Sequence, residues 1–167
     1  DEHGEEAGLR LLSRYANAFP GGYRDRFNEQ AAVFDIARIE DALASGDLAM
    51  NLYRPLEVED GELNFKIYVA GKPVPLSDVL PMLENMGLKV ISENPYAINP
   101  AGATRPVWMH DFAMRTEDGS AVDLAAVKEA FHEAFAKVWR RVVDDDGFNK
   151  LVLRAGLRAR EVQVLRA

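Results

Sequence analysis

The stretch that decides the fold is Gly71-Lys-Pro-Val-Pro-Leu-Ser-Asp-Val-Leu-Pro-Met-Leu-Glu-Asn-Met-Gly-Leu-Lys-Val-Ile-Ser92. Ser77 or Asp78 can cap the first turn of a helix there, and Gly87 can end its last turn. The stretch therefore predicts a strand exit, a short helix packed on a sheet, and a second strand. The apolar residues at helical spacing are Leu76, Val79, Leu80, Leu83 and Met86.

Alternating apolar and polar residues predict two strands before this unit. They run from Met50 to Glu57 and from Leu63 to Val69, and the Glu59-Asp-Gly-Glu62 turn between them is typical of a hairpin. Pro55 marks the first strand as an edge strand, because proline cannot donate a ladder hydrogen bond. Two more strands are predicted from Leu88 through Ser92 towards Ile98, and from Val107 to Arg115.

The longest apolar stripe predicts a helix that follows Asp123, an N-cap candidate, and ends before Asp144-Asp145-Asp146. This acidic run is interpreted as a connector whose Asp146 caps the next helix. Two helices are predicted at the N-terminal side, and the first of them ends at Pro20-Gly21-Gly22. The remaining predicted helices cover residues 9–19, 33–43, 148–156 and 159 onward.

Composition excludes several classes of function. Among the 167 residues, 20 basic side chains are interspersed with 27 acidic ones, and the net charge of −7 argues against a nucleic-acid partner. No apolar run approaches the roughly 20 residues that span a bilayer, so no membrane partner is predicted. The chain has no cysteine, which excludes disulfides and thiolate metal sites and favours a cytoplasmic location.

The sequence offers no catalytic, cofactor-binding or metal-binding motif. There is no Gly-x-Gly-x-x-Gly, and Pro20-Gly21-Gly22 lies between helices, where a dinucleotide fingerprint would need a strand and a helix. Phosphate-binding, acyl-transfer and zinc-hydrolase motifs are absent as well. We therefore predict no catalytic residue, no cofactor and no metal ligand within this chain.

The three histidines are interpreted as structural or solvated residues. His110 stands beside Asp111, but neighbours on a strand point to opposite faces, so the two side chains cannot act on one another directly. His110 is expected to pack in the core with Trp108. His132 is expected on a solvated helix face with Glu129 and Glu133. His3 lies in the terminal segment.

Several segments together carry a family resemblance. The stretch from Gly71 to Ser92 resembles the opening unit of an ACT-type amino-acid-sensing domain. Together with four further segments, this stretch is similar to the middle region of the large bacterial NAD-specific glutamate dehydrogenase, an enzyme roughly tenfold longer than this chain. The chain begins without Met and ends inside an amphipathic pattern, which favours a piece of a longer polypeptide. The segments are Met50 to Leu56, Val107 to Phe112, Val122 to Lys128 and Asp146 to Leu157.

The predicted element order fits this resemblance after a permutation. Strand, strand, helix, strand, strand, helix is one strand out of phase with ferredoxin-like and ACT domains, and moving the last strand to the front restores their order. The predicted fold is therefore an α+β two-layer sandwich with a four-stranded antiparallel sheet, order one, two, four, three, and both sheet helices on one face. We expect a helical segment over 1–46, the ACT-like domain over 47–142, and a second helical segment from 143 to 167.

The resemblance implies a non-catalytic regulatory or structural module. The parent enzyme would oxidatively deaminate glutamate to 2-oxoglutarate and bind NAD outside this chain. The implied partners are other domains of the same polypeptide and further copies of the parent in a homo-oligomer. Two alternatives stay open, an amino-acid-binding effector module and an inter-subunit interaction scaffold.

For the effector alternative, the resemblance implies a binding site at the loop before the short helix. ACT domains commonly hold an amino acid there, with backbone N–H groups on its carboxylate. Pro75 removes one such donor from this loop. The implied effector-binding residues are Gly71, Leu76, Ser77 and Asp78.

Overall fold

The computed structural model describes residues 2–167, and its centre is one four-stranded antiparallel sheet with the strand order β1-β2-β4-β3. This order confirms the permuted arrangement. The strands are β1 (Ala49–Tyr53), β2 (Glu62–Ala70), β3 (Leu88–Ile98) and β4 (Val107–Thr116).

Helices lie on both sides of the strands in the sequence. Three precede the sheet, one separates β2 from β3, and the rest follow β4. They are α1 (Glu2–Tyr15), α2 (Gly21–Arg26), α3 (Glu29–Ser45), α4 (Leu76–Asn85), α5 (Leu124–Trp139), a 3₁₀ turn (Gly147–Lys150), α6 (Leu151–Ala155) and α7 (Ala159–Arg166).

The N-terminal part has three helices where two were predicted. Gly21 and Gly22 begin α2 and do not form a break. Pro20 precedes this helix, and its carbonyl accepts hydrogen bonds from Tyr23 N–H at 3.1 Å and from Arg24 N–H at 3.3 Å. Proline and the two glycines therefore mark a helix start here, because the fixed backbone angle of Pro20 suits the N-cap position of a helix.

Strand β1 is shorter than predicted and ends at Tyr53, so Pro55 lies outside it. The reason is the next residue, Arg54. Its guanidinium donates to the carbonyl oxygens of Asp60 and Val122, both at 2.7 Å, and to that of Glu62 in β2 at 3.2 Å, so beyond Tyr53 a side chain contacts the start of β2 in place of strand pairing. Leu56, predicted within the strand, is fully exposed. The edge position of β1 is as predicted, although Pro55 does not belong to the strand.

The residues divide into two compact units. The first comprises residues up to Ala49, Ile67–Pro73 and Pro95–His110. The second comprises Met50–Lys66, Val74–Asn94 and Asp111–Ala167.

The first unit has a core in which aromatic side chains dominate. Phe19 stacks on Tyr23 with 4.4 Å between ring centroids, and Tyr23 meets the edge of Tyr96 at 5.8 Å. Such offset and edge-on arrangements suit the aromatic quadrupole. The buried members of this core are Tyr15, Ala18, Tyr23, Ile39, Ala42, Ala49, Tyr68, Tyr96, Ile98, Val107 and Met109.

The second unit packs α5 on the sheet. Phe65 of β2 meets the edges of Phe131 and Phe135, with centroids 5.1 and 4.9 Å apart, and all three rings are completely buried. The side chain of Asp123 caps α5 by accepting from Ala126 N–H at 3.3 Å, as predicted. Helix α4 lies beside α5, since the two line a common groove, which places both sheet helices on one face.

Candidate functional site

The implied effector-binding residues occupy different settings. Gly71 lies in the first unit with a positive φ of 105°, a conformation that favours glycine. Its N–H donates to the carbonyl of Pro106 at 2.8 Å. Leu76, Ser77 and Asp78 lie in the second unit, all exposed on the first turn of α4. The backbone donor that the resemblance assigns to Gly71 is therefore engaged within the protein.

Helix α4 is not capped by Ser77 or Asp78, contrary to the prediction. Its N-cap is Pro75, which makes no side-chain cap hydrogen bond, and Ser77 and Asp78 are the second and third helical residues. The reason is that Pro75, in an extended conformation with its φ set by the ring, lets the helix begin directly at Leu76. Gly87, with a φ of 84°, follows the helix end as predicted.

Ser77 and Asp78 line a cavity of about 420 Å³ between α4 and the C-terminal end of α5. We call this cavity the α4–α5 groove. Pro81 lies inside α4 and cannot donate a helical hydrogen bond to the Ser77 carbonyl, so polar backbone is left at the groove. The other lining residues are Met82, Val138, Trp139, Arg141 and Asp145.

Arg141 lies in this groove in a left-handed conformation with a φ of 59°, the only such non-glycine among residues 2–167. It follows the C-cap of α5 in a Schellman arrangement: its N–H donates to Val138 at 3.0 Å, and Val142 N–H donates to Lys137 at 2.8 Å. Glycine is the usual residue at this position, because a side chain in this conformation costs about 1–2 kcal/mol. The tight helix end presents the Arg141 side chain to the groove.

The α4–α5 groove combines one cation and two carboxylates with an apolar floor. Asp78 and Asp145 supply the negative charges, and Asp145 accepts a hydrogen bond from the Asn85 side chain at 2.8 Å. Met82 and Val138 are buried beneath. A small zwitterion is the chemical class that uses both signs of charge and leaves an apolar side chain for the floor.

The histidines take two different roles. His110 is buried, with its ring stacked near Trp108 at 6.4 Å between centroids, in keeping with the core position expected for it. His132 is not on a solvated face, which corrects the prediction. Its Nε2 accepts the backbone N–H of Leu52 at 2.8 Å, so this α5 side chain satisfies a donor of the edge strand β1.

Glu133 also departs from the solvated face that was predicted for it. It is half-buried, and its carboxylate accepts from Arg158 at 2.6 Å and from Lys137 at 3.2 Å. Glu129 is exposed as predicted. Because Arg158 immediately precedes α7, the ion pair attaches the C-terminal helix to α5, a contact between distant residues that helical spacing alone cannot reveal.

Two buried polar networks were missed by the sequence reasoning. In the first unit, the Asp35 carboxylate accepts hydrogen bonds from the hydroxyls of Tyr23, at 2.6 Å, and of Tyr68. Asp35 lies on α3 between Phe34 and Ile36 and is completely buried. The one available signal for this network was a carboxylate at an apolar position of the helix. A buried charge requires partners, so such a residue indicates a buried polar contact.

The second network lies in the second unit around Asp111. The Asp111 carboxylate is completely buried and accepts from the Tyr53 hydroxyl at 2.9 Å and from the Asn64 amide at 3.4 Å. Lys66 is also buried, with its ammonium 5.0 Å from the centre of the Tyr53 ring. The contacts are between different strands, so this arrangement holds β1, β2 and β4 in register.

Two further classes of site can be assessed. Within the part of the chain that the structure describes, no three His, Cys, Asp or Glu side chains converge on a point where a metal ion could bind. Among residues 2–167, no helix combines the length and apolar composition that crossing a bilayer requires.

Two carboxylates that pair with arginines at the two ends of α7 have lowered pKa values. Hydrogen bonds from Arg166 hold the pKa of Asp146 below its ordinary 3.8. Hydrogen bonds from Arg158, and then from Lys137, lower the pKa of Glu133 below its ordinary 4.5. A depressed folded-state pKa contributes stability above the ordinary pKa, and this contribution is lost as the pH falls through the folded-state value.

We expect acid to loosen α7 by this route. At neutral pH, Arg166→Gln should make the α7 amides exchange with solvent ~2–5-fold faster than in the unsubstituted chain, the effect of losing a partly exposed ion pair. The difference should vanish well below the ordinary aspartate pKa of 3.8, because Asp146 is then protonated. Exchange measured by mass spectrometry over a pH series tests this. Arg160→Gln, on an exposed arginine of the same helix, is the control and should match the unsubstituted chain at every pH.

The geometry defines a class of protein. A permuted four-stranded antiparallel sheet with α4 and α5 packed on it, preceded and followed by helical segments, is an ACT-type module between two helical motifs. Family models agree with this reading. The glutamate dehydrogenase ACT3 domain matches residues 47–127, glutamate dehydrogenase helical motif 2 matches residues 1–42, and helical motif 3 matches residues 143–167.

Relatives place the chain in one family. It is 42% identical to the NAD-specific glutamate dehydrogenase of Halomonas elongata and 39% identical to that of Pseudomonas aeruginosa, each over 98% of the chain and 10% of the relative. The enzyme of the same name from Mycobacterium tuberculosis is 33% identical over 92% of the chain and 10% of its own length. The chain belongs to the family of large NAD-specific glutamate dehydrogenases and spans about a tenth of the length of these relatives.

Proposed function

We propose that this chain is a non-catalytic ACT-like regulatory or structural module of a large NAD-dependent glutamate dehydrogenase. The observation that carries the proposal is the β1-β2-β4-β3 sheet with α4, in the region that matches the ACT3 domain, and α5 begins at the end of that region. The parent polypeptide would oxidatively deaminate glutamate to 2-oxoglutarate by hydride transfer to NAD. NAD would bind in a part of the parent outside these residues.

The proposal divides the chain into three segments. Residues 1–46 form a helical segment, residues 47–142 the ACT-like domain, and residues 143–167 a second helical segment. Other domains of the same polypeptide are the immediate partners, in a cytoplasmic homo-oligomer of the parent. The matches to helical motif 2, the ACT3 domain and helical motif 3 support this division.

An activity assay tests the non-catalytic assignment. The purified 167-residue chain should show no glutamate-dependent formation of NADH, while the full-length protein should show it under the same conditions. The physical reason is that the sequence has no dinucleotide fingerprint and no recognisable centre for hydride transfer. Turnover by the chain alone would contradict the proposal.

An amino-acid effector site is the second candidate, and the α4–α5 groove favours it. Arg141 is positioned to bind a carboxylate, Asp78 to bind an ammonium group, and Met82 to contact an apolar side chain. The site differs from the implied one in that Gly71 and Leu76 do not line the groove. Isothermal titration of the full-length protein with amino acids tests it. Binding that Arg141→Gln abolishes and the neighbouring Arg140→Gln preserves would support this candidate over a purely structural role.

An inter-subunit scaffold is the third candidate. Its support is β3, an edge strand on which Ile91 is 58% exposed. Unlike the other edge, where His132 accepts the Leu52 N–H, β3 presents an apolar side chain to solvent. The assembly size of the full-length protein with and without residues 1–167 tests this role. A homo-oligomer that survives the deletion would argue against it.

A further inference from the structure

An open apolar groove lies between α1 and α3 in the first unit. We call it the α1–α3 groove. Its volume is about 700 Å³, and its lining is largely apolar, with Leu11, Leu12, Phe19, Val33 and Ile36 among the residues. Leu12 and Val33 are each 70% exposed, so the groove presents hydrophobic side chains to solvent. Exposed apolar surface of this kind marks an interaction site.

The groove is held in shape by its own polar contacts. At one end, the Glu40 carboxylate accepts hydrogen bonds from the Arg14 guanidinium and the Tyr15 hydroxyl, both at 2.7 Å. These bonds join the C-terminal end of α1 to α3. Tyr15 is buried, and its pKa is raised by burial and then by the hydrogen bond to Glu40, so the neutral hydroxyl persists as a donor. The two helices therefore present a preformed surface.

A glycine inside α1 leaves part of the groove empty. Gly8 lines it, and apart from the nearby backbone of its own helix, no atom lies within 4 Å of the place that a Cβ would occupy there. Glycine is a poor residue for a helix interior. Its presence here suits the close approach of another backbone, which a larger side chain would block. A groove between two helices, with a glycine that leaves room at one position, can accommodate a third helix.

The charges on α1 and α3 indicate which kind of helix can bind the groove. Apart from the buried Asp35, α1 and α3 carry six acidic side chains and three arginines. The arginines are engaged: Arg10 pairs with Glu6, Arg14 with Glu40, and Arg38 with Asp41. A second copy of this face would bring acidic helices against acidic helices, which is repulsive. A helix with lysines or arginines beside its apolar stripe is complementary.

The length of the relatives supplies a source for such a helix. About nine-tenths of their sequence lies outside the region that this chain matches. A segment of the same polypeptide is present at high effective concentration and therefore outcompetes an untethered partner. We propose that the α1–α3 groove docks an amphipathic helix from another part of the same polypeptide, with apolar residues at positions i, i+3 or i+4, and i+7 and basic residues beside them.

Cross-linking in the full-length protein tests the occupant. Photoreactive benzoylphenylalanine replaces Leu12, which lines the groove, or Leu9, which is equally exposed at 66% but lies outside the groove. We expect position 12, and not position 9, to cross-link to a basic amphipathic segment outside these 167 residues. The product should keep the mass of one polypeptide on a denaturing gel. A product of doubled mass would identify a second copy and overturn the proposal, as would equal yields from the two positions.

Hydrogen exchange supplies a second readout in the full-length protein. Leu12→Lys should raise the exchange rate of the α1 amides on the order of tenfold, the effect of removing one central apolar contact, whereas Leu9→Lys should not. Gly8→Leu should have the same effect as Leu12→Lys, because it fills the groove. This variant also guards against a trivial unfolding of α1, since leucine is a better helix former than glycine. Unchanged exchange in both groove variants would overturn the proposal.

Discussion

Replacing Phe135 with alanine is expected to lower the free energy of unfolding by about 3–5 kcal/mol, the range for emptying a buried aromatic site. Phe135 is completely buried, with its ring centroid 4.9 Å from Phe65 and 6.4 Å from Phe131. The substitution removes contacts on both sides and leaves a cavity between α5 and the sheet. Denaturant unfolding followed by tryptophan fluorescence measures the change.

Phe148 provides the matched control. It is 46% exposed and contacts the Arg166 guanidinium at 6.0 Å from its ring centre. Phe148→Ala should cost at most about 1 kcal/mol, since a surface cation–π contact contributes little. Equal losses for the two alanine variants would show that Phe135 does not carry the core of the second unit. His110→Gln should also cost far less than Phe135→Ala, because it keeps most of the side-chain volume.

Replacing Asp35 with alanine should lower the free energy of unfolding by about 2–6 kcal/mol, the range for two buried polar groups that each lose a partner. The cost arises because two buried hydroxyls, those of Tyr23 and Tyr68, lose the acceptor that they share. A buried polar group without a partner costs about 1–3 kcal/mol. Asp35→Asn should cost less, since the amide oxygen still accepts one hydrogen bond. Thermal or denaturant unfolding of the 167-residue chain measures both variants.

A rescue experiment distinguishes the lost hydrogen bonds from lost packing. Adding Tyr23→Phe and Tyr68→Phe to the Asp35→Ala variant removes the unsatisfied hydroxyls. The triple variant should therefore recover part of the lost stability, because replacing all partners by apolar groups is far less costly than removing one. If the triple variant is less stable than Asp35→Ala alone, the network does not explain the cost.

The strand order could be predicted because local signals for the elements were combined with the ACT-like resemblance, which supplied the non-local pairing of β2 with β4. Alternation predicted the strands, and Gly87 and Asp123 predicted a helix end and a helix start that the structure confirms. Because the connection from Tyr53 to Glu62 is short, β1 is expected to pair with β2. Errors occurred where a local signal had two meanings. Gly21-Gly22 follows Pro20 and could break a helix or begin one, and here it begins α2.

The candidate site was predictable only in part. Ser77 and Asp78 were singled out from the start of a helix, and they do line a groove with Arg141. Arg141 lies beyond the end of α5 and far along the chain from Ser77 and Asp78, so no rule of residue spacing relates it to them. The same limit applies to His132. Its helical neighbours suggested a solvated face, but its position is decided by the backbone N–H of Leu52 in β1, which donates to its Nε2 from 80 residues earlier in the chain.

The sequence was enough for the types of most elements, with the separate helix α2 as the exception, and for the permuted α+β order and the family resemblance. Periodicity, turn residues and family-typical segments act over short distances along the chain. Tertiary structure alone decided where the polar groups find partners: Asp35 between two tyrosines, Asp111 beneath Tyr53, and His132 on the backbone of Leu52. The physical reason is that a hydrogen bond depends on atoms a few ångströms apart in space. The number of residues between two groups along the chain does not give their distance in the folded protein.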